Sequence, residues 1–239
     1  MGSSPSRASA HEVRDQRELN ERGFLLWWVL ATSVGLVLGG AVAATVEGAV
    51  RRSWYGVAMP EAEEVLKSTI NVGAMLAVWG AIVGSVQWTV LRRRLDRAGW
   101  WAPATAAGWG LAGVFAGGLS ALLTDLTPSG SDNITLLSLV VGLVPFVLLP
   151  GVFQWLGLRR RVAAAARWLW GSVGAFFLAG VGGFAVVRGG MVSAGWLTPY
   201  DFPSVKVFVL FGVVMAPVYG AVTGLVMAQL LRARGTTTS

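Results

Sequence analysis

The chain has 239 residues, of which 54% are hydrophobic and only 13% charged, about half the charged share of an ordinary soluble domain. A net charge of +7 does not point to nucleic acid, because the basic residues flank long apolar runs, where membrane topology already accounts for them. With no Cys and one His, His11 in a polar tail, disulfides and thiol chemistry are excluded and a transition-metal site is disfavoured.

Residues 1–22 form a polar tail of mixed charge that does not read as a signal peptide, since no apolar core follows a short basic start. The i,i+4 pairs Arg14/Glu18, Arg17/Glu21 and Glu18/Arg22 predict a short solvated helix there. Six apolar runs follow, near 24–48, 69–91, 102–124, 135–158, 168–187 and 205–231. Each has roughly 20 residues or more, enough to cross about 30 Å of hydrocarbon as a helix. Backbone groups in lipid must be paired within their own segment, so the predicted elements are helices. Pro145 and Pro150 in the fourth and Pro217 in the sixth predict kinks. Glu47 is expected to pair with Arg51 at the interface, and Asn71 and Asp125 to stand at helix ends. The last residues, 235–239, are again polar.

The connecting segments set the orientation. The N-terminal tail, 92–101, 159–167 and the stretch from Arg232 onward hold fourteen Lys and Arg, against five (Arg51, Arg52, Lys67, Arg188 and Lys206) in the alternate loops. The positive-inside rule then places both termini in the cytoplasm. Arg outnumbers Lys 17 to 2, which suggests a GC-rich bacterial source and hence the bacterial cytoplasmic (inner) membrane.

One stretch occurs twice, as Gly84-x-x-Gln87-Trp88-x-x-Leu91-Arg92-Arg93-Arg94 and Gly151-x-x-Gln154-Trp155-x-x-Leu158-Arg159-Arg160-Arg161, offset by 154 − 87 = 67 residues. A third, degraded copy runs from Gly224 to Arg232, with Met227 in place of the Gln and Ala228 in place of the Trp. The odd-numbered runs share another pattern. It is Trp28, Thr32, Gly35, Gly39, Gly40 in the first, Trp101, Thr105, Gly108, Ala112, Gly113 in the third, and Trp168, Ser172, Ala175, Ala179, Gly180 in the fifth. The unit is therefore a helical hairpin of about seventy residues, present three times, near 23–94, 99–161 and 166–234. An even number of spans per unit gives all three the same orientation, with a pseudo-threefold axis along the membrane normal. The expected fold is an all-α membrane protein of six transmembrane helices, 23–234, built as three repeated hairpins. Gly35/Gly39, Gly80/Gly84, Gly113/Gly117 and Gly220/Gly224 lie at the spacing that lets helix backbones approach closely.

The repeated Gly-x-x-Gln-Trp-x-x-Leu-Arg-Arg units, each followed by a Trp-rich helix start, resemble a group of bacterial multi-pass membrane proteins, cyanobacterial members included, over roughly 80–118 and 147–183. The resemblance implies architecture and no particular chemistry. Mitochondrial carriers also use three two-helix repeats, but their Pro-x-Asp/Glu-x-x-Lys/Arg signature is absent, so that likeness is architectural only.

Gln87 and Gln154 are the foremost intramembrane polar candidates. Both lie five residues before their first Arg, at nearly the depth of Thr32, Thr105 and Ser172. An unpaired amide in hydrocarbon is costly, so the two Gln side chains are expected to hydrogen-bond across helices, to these hydroxyls or to nearby carbonyls. Met227 should pack by apolar contact alone. Trp27, Trp28, Trp88, Trp100, Trp101, Trp155, Trp168 and Trp170 are expected in an interfacial aromatic belt. Arg92, Arg93, Arg94, Arg159, Arg160 and Arg161 are topology determinants and candidate contacts for anionic lipid headgroups. No catalytic motif or ligand cluster is present, so neither an enzyme nor a cofactor is expected. The function expected is structural or accessory, by packing with itself as a homo-oligomer or with a membrane complex. The alternative is a small-solute or ion transporter or channel, which would need a polar path at mid-membrane.

Overall fold

The computed structural model describes residues 7–54, 61–125, 132–162, 164–186 and 205–235. The loop carrying Arg188 and Asp201 and the two chain ends lie outside the described residues. Six helices follow in order: α1 (Arg7–Trp54), α2 (Glu61–Leu91), α3 (Trp101–Asp125), α4 (Asp132–Leu158), α5 (Ala166–Ala185) and α6 (Val205–Gly235), with one 3-10 turn, Ala98–Trp100, leading into α3. The helices overrun the apolar runs at several ends. The tail helix expected within 1–22 is the first part of α1, which continues from Arg7 for 48 residues without a break. Asn71, expected at a helix end, lies well inside α2, because that helix begins at Glu61. The Arg51 side chain lies outside the described residues, so its pairing with Glu47 does too.

Among the described residues three of these helices hold stretches long and apolar enough to cross a membrane: Leu19–Val50, Val65–Leu91 and Val213–Ala233. The Leu143–Leu158 stretch is apolar but shorter. Each helix packs on its neighbours in the chain, and α6 packs back on α1, so the six close into a ring in chain order. The residues on α1 show why. Its inward stripe is small or aromatic apart from Leu36: Phe24, Trp28, Ala31, Thr32, Gly35, Leu36, Gly39, Gly40, Ala43 and Ala44 are buried. Its outward stripe is Leu26, Leu30, Val34, Leu38, Val42 and Val46, all large, apolar and exposed. Such a stripe repels water, and it suits an environment in which lipid covers the large residues while small ones mediate helix contact.

Helix backbones approach one another closely where a Gly faces the next helix. A Cβ added at Gly84 would lie 2.8 Å from Ala102 Cα and 2.9 Å from Thr105 Cβ, so α2 and α3 touch there only because Gly84 has no side chain. At Gly108 the added atom would lie 2.6 Å from Pro150 Cα, bringing α3 onto α4. The matching approach of the α4 and α5 backbones is looser: an added Cβ at Gly151 would meet the Leu169 side chain at 3.0 Å but stand 3.7 Å from Ser172 Cβ and 3.9 Å from Leu169 Cα.

The loops after α2 and α4 are built alike. Arg92 N–H donates to Trp88 O, Arg94 N–H to Leu91 O and Leu95 N–H to Leu91 O; Arg159, Arg161 and Val162 make the same bonds to Trp155, Leu158 and Leu158. Each loop then turns through a non-Gly residue of positive φ, Arg97 at 55° and Ala164 at 59°. The two are again 67 residues apart. Leu91, Leu95 and Ala98 from one loop region, and Leu158, Val162 and Ala165 from the other, are buried in one core cluster at this basic end of the ring.

Candidate functional site

That cluster is centred on three indoles. Trp28, Trp101 and Trp168, one from each odd-numbered helix, are almost wholly buried, at 0%, 0% and 1% exposure. They meet pairwise edge to face: Trp28 with Trp101 at 5.9 Å between centroids, Trp28 with Trp168 at 6.1 Å and Trp101 with Trp168 at 5.2 Å. Edge-to-face geometry sets the positive ring edge against a negative face and is worth about 0.5–1.5 kcal/mol per pair. These three therefore depart from the interfacial belt expected of them. The reason is helical geometry: consecutive residues point about 100° apart, so Trp27 is 58% exposed beside buried Trp28. Trp170 is likewise exposed, and Trp88, Trp100 and Trp155 are half-buried.

Each inward indole carries one N–H that needs an acceptor, and the Gln residues supply two. Gln87 on α2 accepts from Trp101 Nε1 on α3 at 3.0 Å and donates through Nε2 to Thr32 Oγ1 on α1 at 3.1 Å. One amide thus ties three successive helices. Gln154 on α4 does the same one hairpin later, accepting from Trp168 Nε1 at 3.0 Å and donating to Thr105 Oγ1 at 2.9 Å. Thr105 turns its own proton back to Trp101 O at 2.8 Å. Both amides are buried, and both their oxygen and nitrogen are used.

At the third position the pattern changes. Met227 on α6 is fully buried and offers neither donor nor acceptor. Trp28 Nε1 donates instead to Thr223 Oγ1, one turn away along α6, at 3.1 Å, and Thr223 passes its proton to Tyr219 O at 2.7 Å. Sequence reasoning did not single out Thr223; its signal was its place four residues before the Met that replaces a Gln. The hydroxyl that a third Gln would have bonded, Ser172 Oγ, is buried without a hydrogen-bond partner. Tyr219 is its neighbour but does not close a bond of ordinary geometry with it. The structure thus brings Gln87 to Thr32 and Gln154 to Thr105, and leaves Ser172 apart.

Next to Ser172 lies a cavity of about 70 Å³. All six helices line it: Leu36 from α1, Trp79 from α2, Trp109 from α3, Phe146 and Pro150 from α4, Ser172 and Phe176 from α5, Met215 and Tyr219 from α6. Its wall is a run of touching rings, Trp79–Trp109 at 5.3 Å, Trp109–Phe146 at 5.5 Å and Phe146–Phe176 at 5.5 Å. Trp79 is anchored by donating from Nε1 to Leu36 O at 3.0 Å.

The arginines are not equivalent. Arg92 lies over the Trp88 ring at 5.0 Å and Arg159 over Trp155 at 5.2 Å. Arg161 lies over Trp100 at 5.2 Å and donates to Gly157 O at 2.7 Å. Arg94 donates to Asn20 O at 3.0 Å and, with Arg93, Trp27 and Phe24, lines a groove of about 330 Å³ between α1 and α2. In the third copy Ala228 offers no ring, and Arg232 reaches Glu21 on α1 instead. Glu21 therefore pairs across the ring closure; the Arg17 side chain, its i,i+4 neighbour in the tail, lies outside the described residues. Among the described residues no group of three His, Cys, Asp or Glu is placed to hold a metal ion. No protein-family model, curated protein or solved structure matches the chain.

Proposed function

We propose that the chain is a membrane-integral protein of structural or accessory type. In this reading six spans form three equivalent hairpins around a pseudo-threefold axis, in the bacterial cytoplasmic membrane, with both termini in the cytoplasm. It packs with itself or with a membrane complex, and its basic end gathers anionic lipid headgroups. The kinship to bacterial multi-pass proteins with the same hairpin motif belongs to this proposal.

The observation that carries the reading is the use made of the buried polar groups. The amides of Gln87 and Gln154 and the indole N–H groups of Trp28, Trp101 and Trp168 all go to bonds between helices. A transporter or channel needs polar groups facing a path. Here three packed indoles occupy the centre of the basic end, which supports a plug and a scaffold. The outward stripe of large aliphatic residues supports lipid as the surroundings.

Two measurements test this. Reporter fusions at the C-terminus and within 188–204 should lie on opposite sides of the membrane; finding both on one side defeats the six-span topology. Protein purified in mild detergent from its native membrane should run as a homo-oligomer or with a stoichiometric partner. A monodisperse monomer that moves ions or small solutes across proteoliposomes would overturn the structural reading in favour of transport.

A further inference from the structure

We propose that the cavity beside Ser172 is a binding site for a small, neutral, oxygen-bearing molecule: a short alcohol or ketone. Four observations lead there. The cavity is a place where the six helices converge without filling the space between them. Its wall is aromatic and aliphatic and carries no charged side chain, so an ionic ligand would lose its hydration with nothing in exchange. Ser172, only 4% exposed, presents a hydroxyl with no partner. A buried hydroxyl in that condition costs about 1–3 kcal/mol, which a ligand that bonds it would relieve.

The fourth observation is the reason the hydroxyl is free. At the two other positions of this kind a Gln amide consumes it. At this one the side chain is Met227, and Trp28 is served separately by Thr223. The indole's requirement is thus met without filling the space next to Ser172. The Tyr219 hydroxyl, beside Ser172 in the same lining, is a second donor or acceptor. Size narrows the class further. A cavity near 150 Å³ accepts benzene; this one has about 70 Å³. That suits a slim chain of a few heavy atoms, with Met215 as the wall residue most able to give way.

The test uses the full chain in detergent and a diazirine analogue of butanol as photoreactive probe, with labelled residues read by peptide mass spectrometry. Labelling should concentrate on Phe176, Met215 and Tyr219, and excess 1-butanol should compete for it better than pentane does. Ser172→Ala removes the bonding group, and Met227→Gln supplies the amide that would engage it. Each should lower labelling about fivefold, the worth of one hydrogen bond. Thermal melting of each variant checks that the ring is intact, and Met227→Gln should melt no lower than the parent. Labelling confined to lipid-facing residues such as Leu178 and Val218, or equal labelling of the cavity in all three proteins, would overturn the proposal. So would an unlabelled cavity, which would mean that it holds water only.

Discussion

Transplanting the third position's solution into the first gives a quantitative test of the hydrogen-bond ring. In Gln87→Met two bonds disappear: the one donated to Thr32 Oγ1 and the one accepted from Trp101 Nε1. Interhelical bonds in membrane bundles average about 0.6 kcal/mol each, so their direct loss is about 1.2 kcal/mol. Trp101 is 0% exposed, and its stranded N–H adds about 1–3 kcal/mol. The single variant should therefore lose about 2–4 kcal/mol, with the melting point falling by about 2–4 °C for each. Thr223 stands four residues before Met227, and Val83 stands four before Gln87. Val83→Thr should place a hydroxyl where Trp101 Nε1 can reach it. Alone it buries a polar group and should cost about 1 kcal/mol. Combined with Gln87→Met it should recover stability, giving a coupling of about 1 kcal/mol or more in a double-mutant cycle read by thermal unfolding in detergent. Additivity to within about 0.5 kcal/mol would refute the claim that the indole's demand for an acceptor governs this layer.

Gly84→Ala should destabilise by about 1–3 kcal/mol in the same assay, because the new methyl would meet the Ala102 backbone at 2.8 Å. Ala164→Gly should stabilise by up to about 1 kcal/mol, since φ of 59° strains an L side chain; an unchanged or lower melting point would count against strain in that loop. Replacing Arg93 and Arg160 by Gln should reduce co-purified anionic lipid at about 1 kcal/mol per residue without lowering the melting point. Replacing Arg92 and Arg159 should also remove their stacking on Trp88 and Trp155, at about 0.5–1 kcal/mol each.

Much of this arrangement is legible in the residues. Gln87, Gln154 and the hydroxyls share a register because amides buried in an apolar bundle have few other places to bond. The Gly positions mark close approach because nothing larger fits. The indoles were harder to read. Trp beside a basic loop ordinarily marks an interface, but Trp28 shares one helical stripe with Thr32, Gly35 and Gly39, so it faces inward with them. Thr223 and the cavity were illegible for a different reason. Their meaning comes from what Met227 fails to do, and a missing partner shows only once Ser172 and Trp28 are seen together in space. Pairing of Glu21 with Arg232 depended likewise on α6 returning to α1, which no local spacing encodes.

That return has a consequence for the order of assembly. The bonds made by Gln87 and Gln154 join residues 14 to 55 positions apart, and they can form as each hairpin emerges. The bond from Trp28 to Thr223 spans 195 positions, and the ion pair of Glu21 with Arg232 spans 211. At 5–20 residues per second of synthesis, Trp28 waits roughly 10–40 s for its acceptor. Through that interval the nascent protein has an open seam along one side of α1, with the Trp28 indole N–H still without Thr223. Chains that stop before α6 keep the seam open for good, so closure of the ring waits on the last helix.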